Sequence, residues 1–242
     1  MKKITSNIYM KNGLWGTGIL STNVYFLTDT KLTIVDTGYK GRVSQICRDI
    51  KRLGYSLSDV ENIILTHYHV DHTGNLLKLK QLTGANIIAH MDDAPYIEGR
   101  LPHPCPKALR QLKFMEHFWN PDPVEVDVTF KDGDILPVLG GIKIIHTPGH
   151  TPGSISIHIR QEDALITGDL LANTFKLSLP SREFTVDITQ EIQSIQKIAD
   201  MEFNIVCFGH GVPLMRGAHK KIKKYYLKLK KTLPNSLSGD NT

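Results

Sequence analysis

Seven consecutive residues behind a short apolar run constrain this chain more than any other feature. The segment runs from Thr66 through His67, Tyr68, His69, Val70 and Asp71 to His72, and it follows Ile63-Ile64-Leu65. Imidazole nitrogen and carboxylate oxygen are the ligands that borderline divalent metals prefer. A polar loop that follows a strand and leads into a helix can point several such groups into one space. The segment therefore predicts a metal site at the end of a strand.

The spacing within the segment divides it into two parts. Alternate side chains of an extended stretch point to the same side, so His67 and His69 can hold one ion. Asp71 and His72 are displaced by the turn into the helix and are free to hold a second. Four ligands from one loop cannot complete two coordination spheres, so further donors must come from other parts of the chain.

Three later strand ends each carry one residue of ligand type. His150 lies in a turn between strands, Asp169 follows Thr167-Gly168, and His210 follows Phe208-Gly209. A glycine beside each of them permits close approach of the backbone. The candidate metal ligands are His67, His69, Asp71, His72, His150, Asp169 and His210. Asp36 in Val35-Asp36-Thr37-Gly38 shows a related pattern.

Hydrophobic periodicity places these residues in alternating strands and helices. Strands are predicted at 23–28, 32–35, 63–65, 86–89, 124–130, 142–146, 154–159, 164–167 and 204–208. Helices are predicted at 43–53, 72–82, 107–119, 188–199 and 218–233. Strands followed by helices in both halves indicate a two-sheet core faced by helices, and 242 residues suit one domain over 1–242.

Prolines crowd the stretch from His90 to Pro123, where the periodicity weakens. We interpret 90–123 as an insertion or lid. Its apolar side chains either pack on the core or contact substrate, and both interpretations stay open for Phe114, Met115, Phe118 and Trp119. His90 and His146 end apolar strands and are interpreted as structural, although a supporting role behind the metal ligands stays open for both. The role of His117 also stays open. His103, His158 and His219 stand without ligand neighbours and are taken as structural or exposed.

The formal net charge of +5 is a local feature. Seven lysines lie between Lys220 and Lys231, and without them the chain carries a formal net charge of −2. A solvated helix face over 218–233 is therefore expected rather than a nucleic-acid surface. The apolar residues of that helix predict docking onto the domain, namely Ile222, Tyr225, Tyr226 and Leu229.

Cysteine usage and apolar runs bear on location. Cys47, Cys105 and Cys207 form no close pair and leave one thiol over in any pairing, which favours a reducing compartment and a cytoplasmic location. No apolar run of 18 or more residues occurs, and no apolar run follows the basic start, so neither a membrane span nor a signal peptide is expected. Oligomeric state stays open.

Five separated motifs resemble, in their order, the metallo-β-lactamase superfamily: Asp36, the block from His67 to His72, His150, Asp169 and His210. The resemblance implies an α/β fold, a four-layer αββα sandwich. It implies His67, His69 and His150 on a first metal, Asp71, His72 and His210 on a second, and Asp169 bridging both. Asp36 would orient the site. The implied cofactors are two divalent ions, with zinc expected and iron or manganese as alternatives.

The same resemblance implies a hydrolase acting on a small molecule. Two ions about 3.5 to 4 Å apart can share a water and lower its pKa toward about 7, which gives a nucleophilic hydroxide. A carbonyl polarised by one ion would be attacked, and Asp71 could receive the proton and return it to the leaving group. Asp71 and Asp169 are thus the candidate catalytic residues.

Differences between this sequence and known branches of the family narrow the range of expected reactions. The largest class of true β-lactamases has a cysteine where Asp169 stands, and the diiron electron-transfer branch has a glutamate where His69 stands. Acyl-homoserine lactonases have a tyrosine where Ala172 stands. Hydrolysis of an ester, thioester or lactone is the expected activity. An iron-dependent persulfide dioxygenase, and a nucleic-acid-binding or nuclease role through the basic helix, are the alternatives.

Overall fold

A computed structural model describes residues 1–12, 22–104 and 121–232 of the chain. The helix predicted at 107–119, its apolar side chains and His117 lie outside these residues. The described strands are β1 (Lys2–Lys3), β2 (Ile8–Lys11), β3 (Val24–Thr28), β4 (Leu32–Val35), β5 (Val60–Ile64), β6 (Asn86–His90), β7 (Val128–Phe130), β8 (Ile135–Leu136), β9 (Ile142–His146), β10 (Ile155–Ile159), β11 (Ala164–Ile166), β12 (Ala172–Asn173), β13 (Leu177–Ser178) and β14 (Ile205–Cys207). The described α-helices are α1 (Val43–Arg52), α2 (Val70–Thr73), α3 (Leu76–Thr83), α4 (Ala94–Ile97), α5 (Ile188–Ala199) and α6 (Ala218–Thr232).

The strands form two large sheets. The first has the order β1-β2-β3-β4-β5-β6-β7, antiparallel as far as β4 and parallel from β4 to β7. The second has the order β14-β11-β10-β9-β8, in which β11 and β14 are parallel. Most strands are rich in isoleucine and valine, whose branched side chains favour extended backbone.

Three clusters of buried apolar side chains separate four layers. One joins the inner faces of the two sheets and contains Ile64, Ile144 and Ile157. A second lies between the first sheet and helices α1 and α3. The third lies between the second sheet and helices α5 and α6. The predicted four-layer αββα sandwich is therefore confirmed.

One predicted helix is wrong in its extent. The spacing predicted a continuous helix over 72–82, but α2 ends at Thr73 and α3 begins at Leu76. Asn75 interrupts the helix because its side-chain amide donates to the carbonyl oxygens of Thr37 at 2.7 Å and Tyr39 at 2.6 Å. The strand predicted over 124–130 is also shorter, since only Val128–Phe130 pairs with the sheet.

The lysine-rich helix α6 is docked as predicted. Ile222 is fully buried, and Tyr225, Tyr226 and Leu229 pack against the third cluster. Most lysines of this helix are exposed at the surface. Among the described residues, no helix is both long and apolar enough to cross a membrane.

Candidate metal centre

The sheet topology brings the candidate ligands to one edge of the sandwich. β4 and β5 are parallel, so the residues that follow them, Asp36 and the segment starting at Thr66, leave the same edge. β11 and β14 are also parallel, and they are followed by Asp169 and His210. His150 lies in the connection between β9 and β10. Carboxyl ends of parallel strands are where α/β folds place their sites.

Three imidazoles form a first group. The ring centroids of His67, His69 and His150 lie between 4.6 and 4.9 Å apart. His69 Nδ1 and His150 Nε2 are 3.0 Å from each other. Because two ligands of one tetrahedral zinc ion stand about 3.4 Å apart, this group is compact enough to share an ion.

Two carboxylates and two imidazoles form a second group. His210 Nε2 lies 3.1 Å from Asp71 Oδ2 and 3.0 Å from Asp169 Oδ2. His72 Nε2 lies 3.5 Å from Asp71 Oδ2 and 3.4 Å from Asp169 Oδ1. Asp169 also reaches the first group, since its Oδ2 lies 3.6 Å from His150 Nε2. All seven candidate ligands therefore meet in one place, which we call the histidine–aspartate cage.

Hydrogen bonds behind the cage fix the orientation of two of its rings, His67 and His72. Asp36 accepts from Thr66 N, Thr66 Oγ1 and His72 Nδ1, each at 2.8 Å. Thr66 Oγ1 in turn lies 3.1 Å from His67 Nδ1. With their Nδ1 atoms so engaged, His67 and His72 present Nε2 to the cage.

Asp36 has a backbone conformation that residues other than glycine seldom adopt. Its φ of 61° lies in the left-handed region. That conformation is costly outside glycine and persists where the surroundings hold it in place. Here the strained turn after β4 aims both carboxylate oxygens at the His67 segment. The supporting role expected for Asp36 agrees with this geometry.

Two glycines are required by close packing around the cage. A Cβ on Gly149, whose φ is 134°, would lie 2.3 Å from the backbone nitrogen of Glu191 in helix α5. A Cβ on Gly209 would lie 2.0 Å from Asp169 Oδ1. Each glycine stands directly before a candidate ligand, His150 or His210, so each lets that ligand enter the cage.

Burial keeps the first group uncharged. It lowers the pKa of His67 and of His69 well below the ordinary value, and it lowers the pKa of His150 to about 4. All three imidazoles are therefore neutral at pH 7. A neutral imidazole has the free lone pair that a metal ion needs.

The second group has opposite charges in contact. Burial works to lower the pKa of His210, but Asp169 and Asp71 outweigh it and raise that pKa to about 10. The same carboxylates and Asp36 raise the pKa of His72 against its burial. Burial works to raise the pKa values of Asp71 and Asp169, yet His72 and His210 hold both well below the ordinary value. The carboxylates thus attract positive charge, which a divalent ion would also supply.

Buried atoms within the cage suit a bound cation. Among the described residues, His67 Nε2 is buried without a hydrogen-bond partner, and His72 Nε2 and Asp169 Oδ1 are buried with no hydrogen bond beyond their 3.4 Å ion pair with each other. Unpaired buried polar atoms are costly and rare in proteins. Since these three atoms are nitrogen and oxygen donors aimed into one space, the residues fit a divalent metal.

Sequence reasoning missed Asp93, which braces the cage from behind. Its buried carboxylate accepts from Tyr68 N at 3.0 Å, Thr151 Oγ1 at 2.7 Å and Gly153 N at 2.6 Å. Tyr68 lies between two candidate ligands, and Thr151 follows a third. Asp93 therefore ties together the two loops of the first group. Only the neighbouring Asp92-Asp93 pair after a strand end could have drawn attention to it.

Replacing Asp93 with alanine should loosen both loops. Two backbone N–H groups and one hydroxyl would lose their buried acceptor, at about 1–3 kcal/mol each. Metal affinity at the first group should fall about 10- to 100-fold, the usual effect of losing a support behind a ligand. Chemical denaturation and competition with a zinc chelator measure the two effects. Asp122→Ala, which removes an exposed carboxylate, is the control, and an Asp93→Ala protein equal to it in both measurements would contradict this role.

Glu191 is a second buried carboxylate that the sequence did not reveal. It lies in the first turn of helix α5 behind the His150 loop, and both of its carboxyl oxygens are buried. Burial raises the pKa of Glu191 to about 9. The group is therefore protonated in the folded protein at pH 7.

Glu191→Gln should stabilise the protein in a pH-dependent way. An acid with a raised folded-state pKa loses stability as pH rises from the unfolded pKa, about 4.5, toward 9, because only the unfolded chain ionises. We expect no difference from wild type at pH 4 and a gain in unfolding free energy that grows with pH to several kcal/mol, at most about 5, at pH 8. Denaturant unfolding across this range measures it. A difference that does not change with pH would show that Glu191 ionises normally.

Fold and cage together define a class of protein, the metal-dependent hydrolases built on an αββα sandwich. The chain belongs to the metallo-beta-lactamase superfamily, whose family model matches residues 17–210. The resemblance of the five motifs is thereby confirmed at the level of the whole family.

Relatives with sequence similarity share much of the chain. The probable metallo-hydrolase YybB of Bacillus subtilis (strain 168) is 28% identical over 198 residues, covering 81% of this chain and 83% of its own length. The probable metallo-hydrolase YflN of the same organism is 27% identical, covering 84% of this chain and 85% of its own. An N-acyl homoserine lactonase from a Bacillus species is 28% identical, covering 72% of this chain and 64% of its own.

Solved structures agree on the fold. A metallo-beta-lactamase family protein from Thermus thermophilus superposes with a TM-score of 0.73 at 19% identity, covering 95% of this chain and 81% of its own. BJP-1, a subclass B3 metallo-beta-lactamase of Bradyrhizobium japonicum, superposes with a TM-score of 0.67 at 22% identity, covering 95% and 90%. At these identities the likeness concerns the fold alone.

Proposed function

We propose that this protein is a dinuclear hydrolase that cleaves an ester, thioester or lactone bond of a small molecule. The observation that carries the proposal is the shared position of Asp169. Its carboxylate reaches His210 and His72 of the second group and His150 of the first. One carboxylate between two sets of donors is suited to bridging two ions.

Each group would hold one divalent ion, with zinc expected. His67, His69 and His150 would hold the first, Asp71, His72 and His210 the second, and Asp169 both. Such ions supply an activated water at neutral pH and polarise a carbonyl oxygen. The chain's own part is to orient the donors, through Asp36, Thr66 and Asp93, and to move a proton.

Asp71 is the better placed of the two carboxylates for proton transfer. Its side chain is 16% exposed, against 7% for Asp169, which lies deeper among histidines. Thr22 Oγ1 donates to Asp71 Oδ2 at 2.8 Å and fixes this oxygen. We assign Asp71 to accepting the nucleophile's proton and passing it to the leaving group, and Asp169 to holding the two ions.

Apolar side chains near the cage, the half-buried Phe184 and the exposed Val186 and Phe175, favour a substrate with an apolar part. The Phe184 ring lies 6.4 Å from the His69 ring, edge-on. Val186 N donates to the carbonyl oxygen of His150, and the Val186 side chain is 58% exposed. Phe175, 82% exposed, lies two residues after Asn173, which pairs with Gly211 beside His210. Apolar side chains beside the ligand segments suit an acyl or alkoxy chain next to the reacting carbonyl.

The alternatives account for fewer of these contacts. A persulfide dioxygenase uses one iron, which would leave one group of donors without an ion, and metal analysis separates the two activities. A nucleic-acid role would act through the lysines of α6. Its test is salt-dependent binding that is lost when those lysines are replaced.

A turnover screen with metal analysis on the same sample tests the proposal. Thioesters, lactones, aryl esters and phosphodiesters are offered to protein purified without added metal. We expect hydrolysis of at least one carbonyl substrate, its loss after chelation and its recovery with zinc. Phosphodiester cleavage alone, or hydrolysis that chelation leaves untouched, would contradict it.

A further inference from the structure

A second cluster of ligand-type side chains lies outside the histidine–aspartate cage. His90 ends β6 of the first sheet, and His146 ends β9 of the second. Their rings are stacked, with centroids 3.9 Å apart and planes 13° from parallel. Asp92 Oδ2 lies 3.6 Å from His90 Nδ1 and 4.0 Å from His146 Nε2. The three side chains bring one oxygen and two nitrogen donors together where the sheets meet.

These separations are close to those of a metal site. Two ligands of a tetrahedral ion stand about 3.4 Å apart when metal–nitrogen distances are about 2.0–2.1 Å. To share one ion, Asp92, which is 50% exposed, would move by about half an ångström, and the stacked rings would turn so that one lone pair of each faces the same point. Pro152 O lies 2.8 Å from His146 Nε2 and supplies a further oxygen.

The protonation of both rings is compatible with a cation. Asp92 N donates to His90 Nδ1 at 3.2 Å, so this nitrogen is unprotonated, and an ion bound to it would replace this hydrogen bond. Burial, followed by the neighbouring His146, lowers the pKa of His90 to about 4, so the ring is neutral at pH 7. His146 Nε2 donates to Pro152 O at 2.8 Å, so an ion bound at this nitrogen requires the other tautomer, with the ring proton on Nδ1.

Nearby charges also favour a cation. Asp132 accepts from His146 N at 2.8 Å. Burial lowers the pKa of His90, and the negative charges of Asp132 and Asp134, in the same loop, act to raise it. Among the described residues, the ammonium group of Lys197 contacts this cluster: its Nζ lies 3.0 Å from His146 O and 2.8 Å from Asp132 Oδ1. Its charge is thus compensated within the cluster.

We propose that His90, Asp92 and His146 form a third divalent-cation site, separate from the cage, that clamps the two sheets together. An imidazole and carboxylate donor set of this kind suits zinc and its neighbours in the first transition row. The half-exposed Asp92 leaves the site open to solvent, so the ion exchanges with the medium. Since each imidazole comes from a different sheet, a bound ion links β6 to β9 and adds to stability by mass action.

Zinc stoichiometry on matched variants tests this site. Full-length wild type, Asp92→Asn and His146→Gln are dialysed against the same series of buffered free zinc concentrations, and bound zinc per chain is counted. Glutamine at 146 retains an N–H that can donate to Pro152. We expect the wild type to bind one zinc ion more than either variant. Over the zinc range in which this ion binds, the thermal midpoint of the wild type should rise further than that of either variant.

Asp200→Asn, which removes an exposed carboxylate far from the cluster in sequence, is the control and should match the wild type. The measured quantity is the difference in bound zinc between wild type and variant, and all of these proteins have an intact cage. The result therefore does not depend on how many ions the cage holds or on any hydrolytic activity. Equal zinc counts in wild type, Asp92→Asn and His146→Gln would overturn the proposal. Thermal unfolding without zinc checks that Asp92→Asn keeps the fold.

Discussion

Asp169→Ala is expected to lower turnover at least ~10³-fold and to remove one of the two metal ions of the proposed centre. Asp169 lies within 3.6 Å of candidate ligands of both groups. Without it, the first group keeps three imidazoles, whereas the second loses the carboxylate on which His72 and His210 converge. Metal content and kcat/KM on the same sample measure the effect.

The control for this change is Asp200→Ala, which removes an exposed carboxylate at the end of helix α5. It should leave both quantities as they are in the wild type. An Asp169→Ala protein that still binds two ions and turns over as the wild type would show that Asp169 does not join the groups. Loss of both ions would instead make it an anchor for the first position as well.

Asp71→Asn is expected to lower kcat by about 10²- to 10⁴-fold, the usual contribution of a positioned general acid or base. Asparagine keeps the shape of the side chain and an oxygen that can accept from Thr22 Oγ1, which lies 2.8 Å from Asp71 Oδ2. It cannot take up a proton at neutral pH. In a variant that keeps the second ion, KM should change little, because the lost step is proton transfer rather than substrate binding.

Metal content separates the two roles that Asp71 could have. A variant that keeps its ions but loses kcat supports proton transfer. A variant that loses the second ion shows that Asp71 acts mainly as a ligand. Full metal content together with full turnover would contradict both roles.

Local sequence patterns predicted most of the fold. The runs 32–35, 142–146 and 188–199 match β4, β9 and α5 in both bounds, because each has the periodicity of a strand or helix and clear end signals. The break between α2 and α3 could not be predicted in this way. It depends on the Asn75 amide reaching the carbonyl oxygens of Thr37 and Tyr39, residues 36 to 38 positions earlier in the chain.

The cage itself was visible because each candidate ligand follows a strand end and has a glycine or another ligand beside it. The residues that support the cage from behind were not visible in the sequence. Asp93 acts through contacts with residues 25 to 60 positions away, and nothing in its local sequence announces them. His90 and His146 each end an apolar strand, a position that favoured a structural interpretation with a supporting role left open. The sequence did not predict that the rings stack, because the two histidines lie 56 residues apart and on different sheets.

The most direct test of the account is a crystal structure of the protein grown with zinc, with anomalous scattering measured at the zinc edge. We expect two peaks inside the cage, one among His67, His69 and His150 and one among Asp71, His72 and His210, with Asp169 between them. A cage that holds one peak or none at saturating zinc would contradict the dinuclear centre, whatever is seen at other places in the molecule.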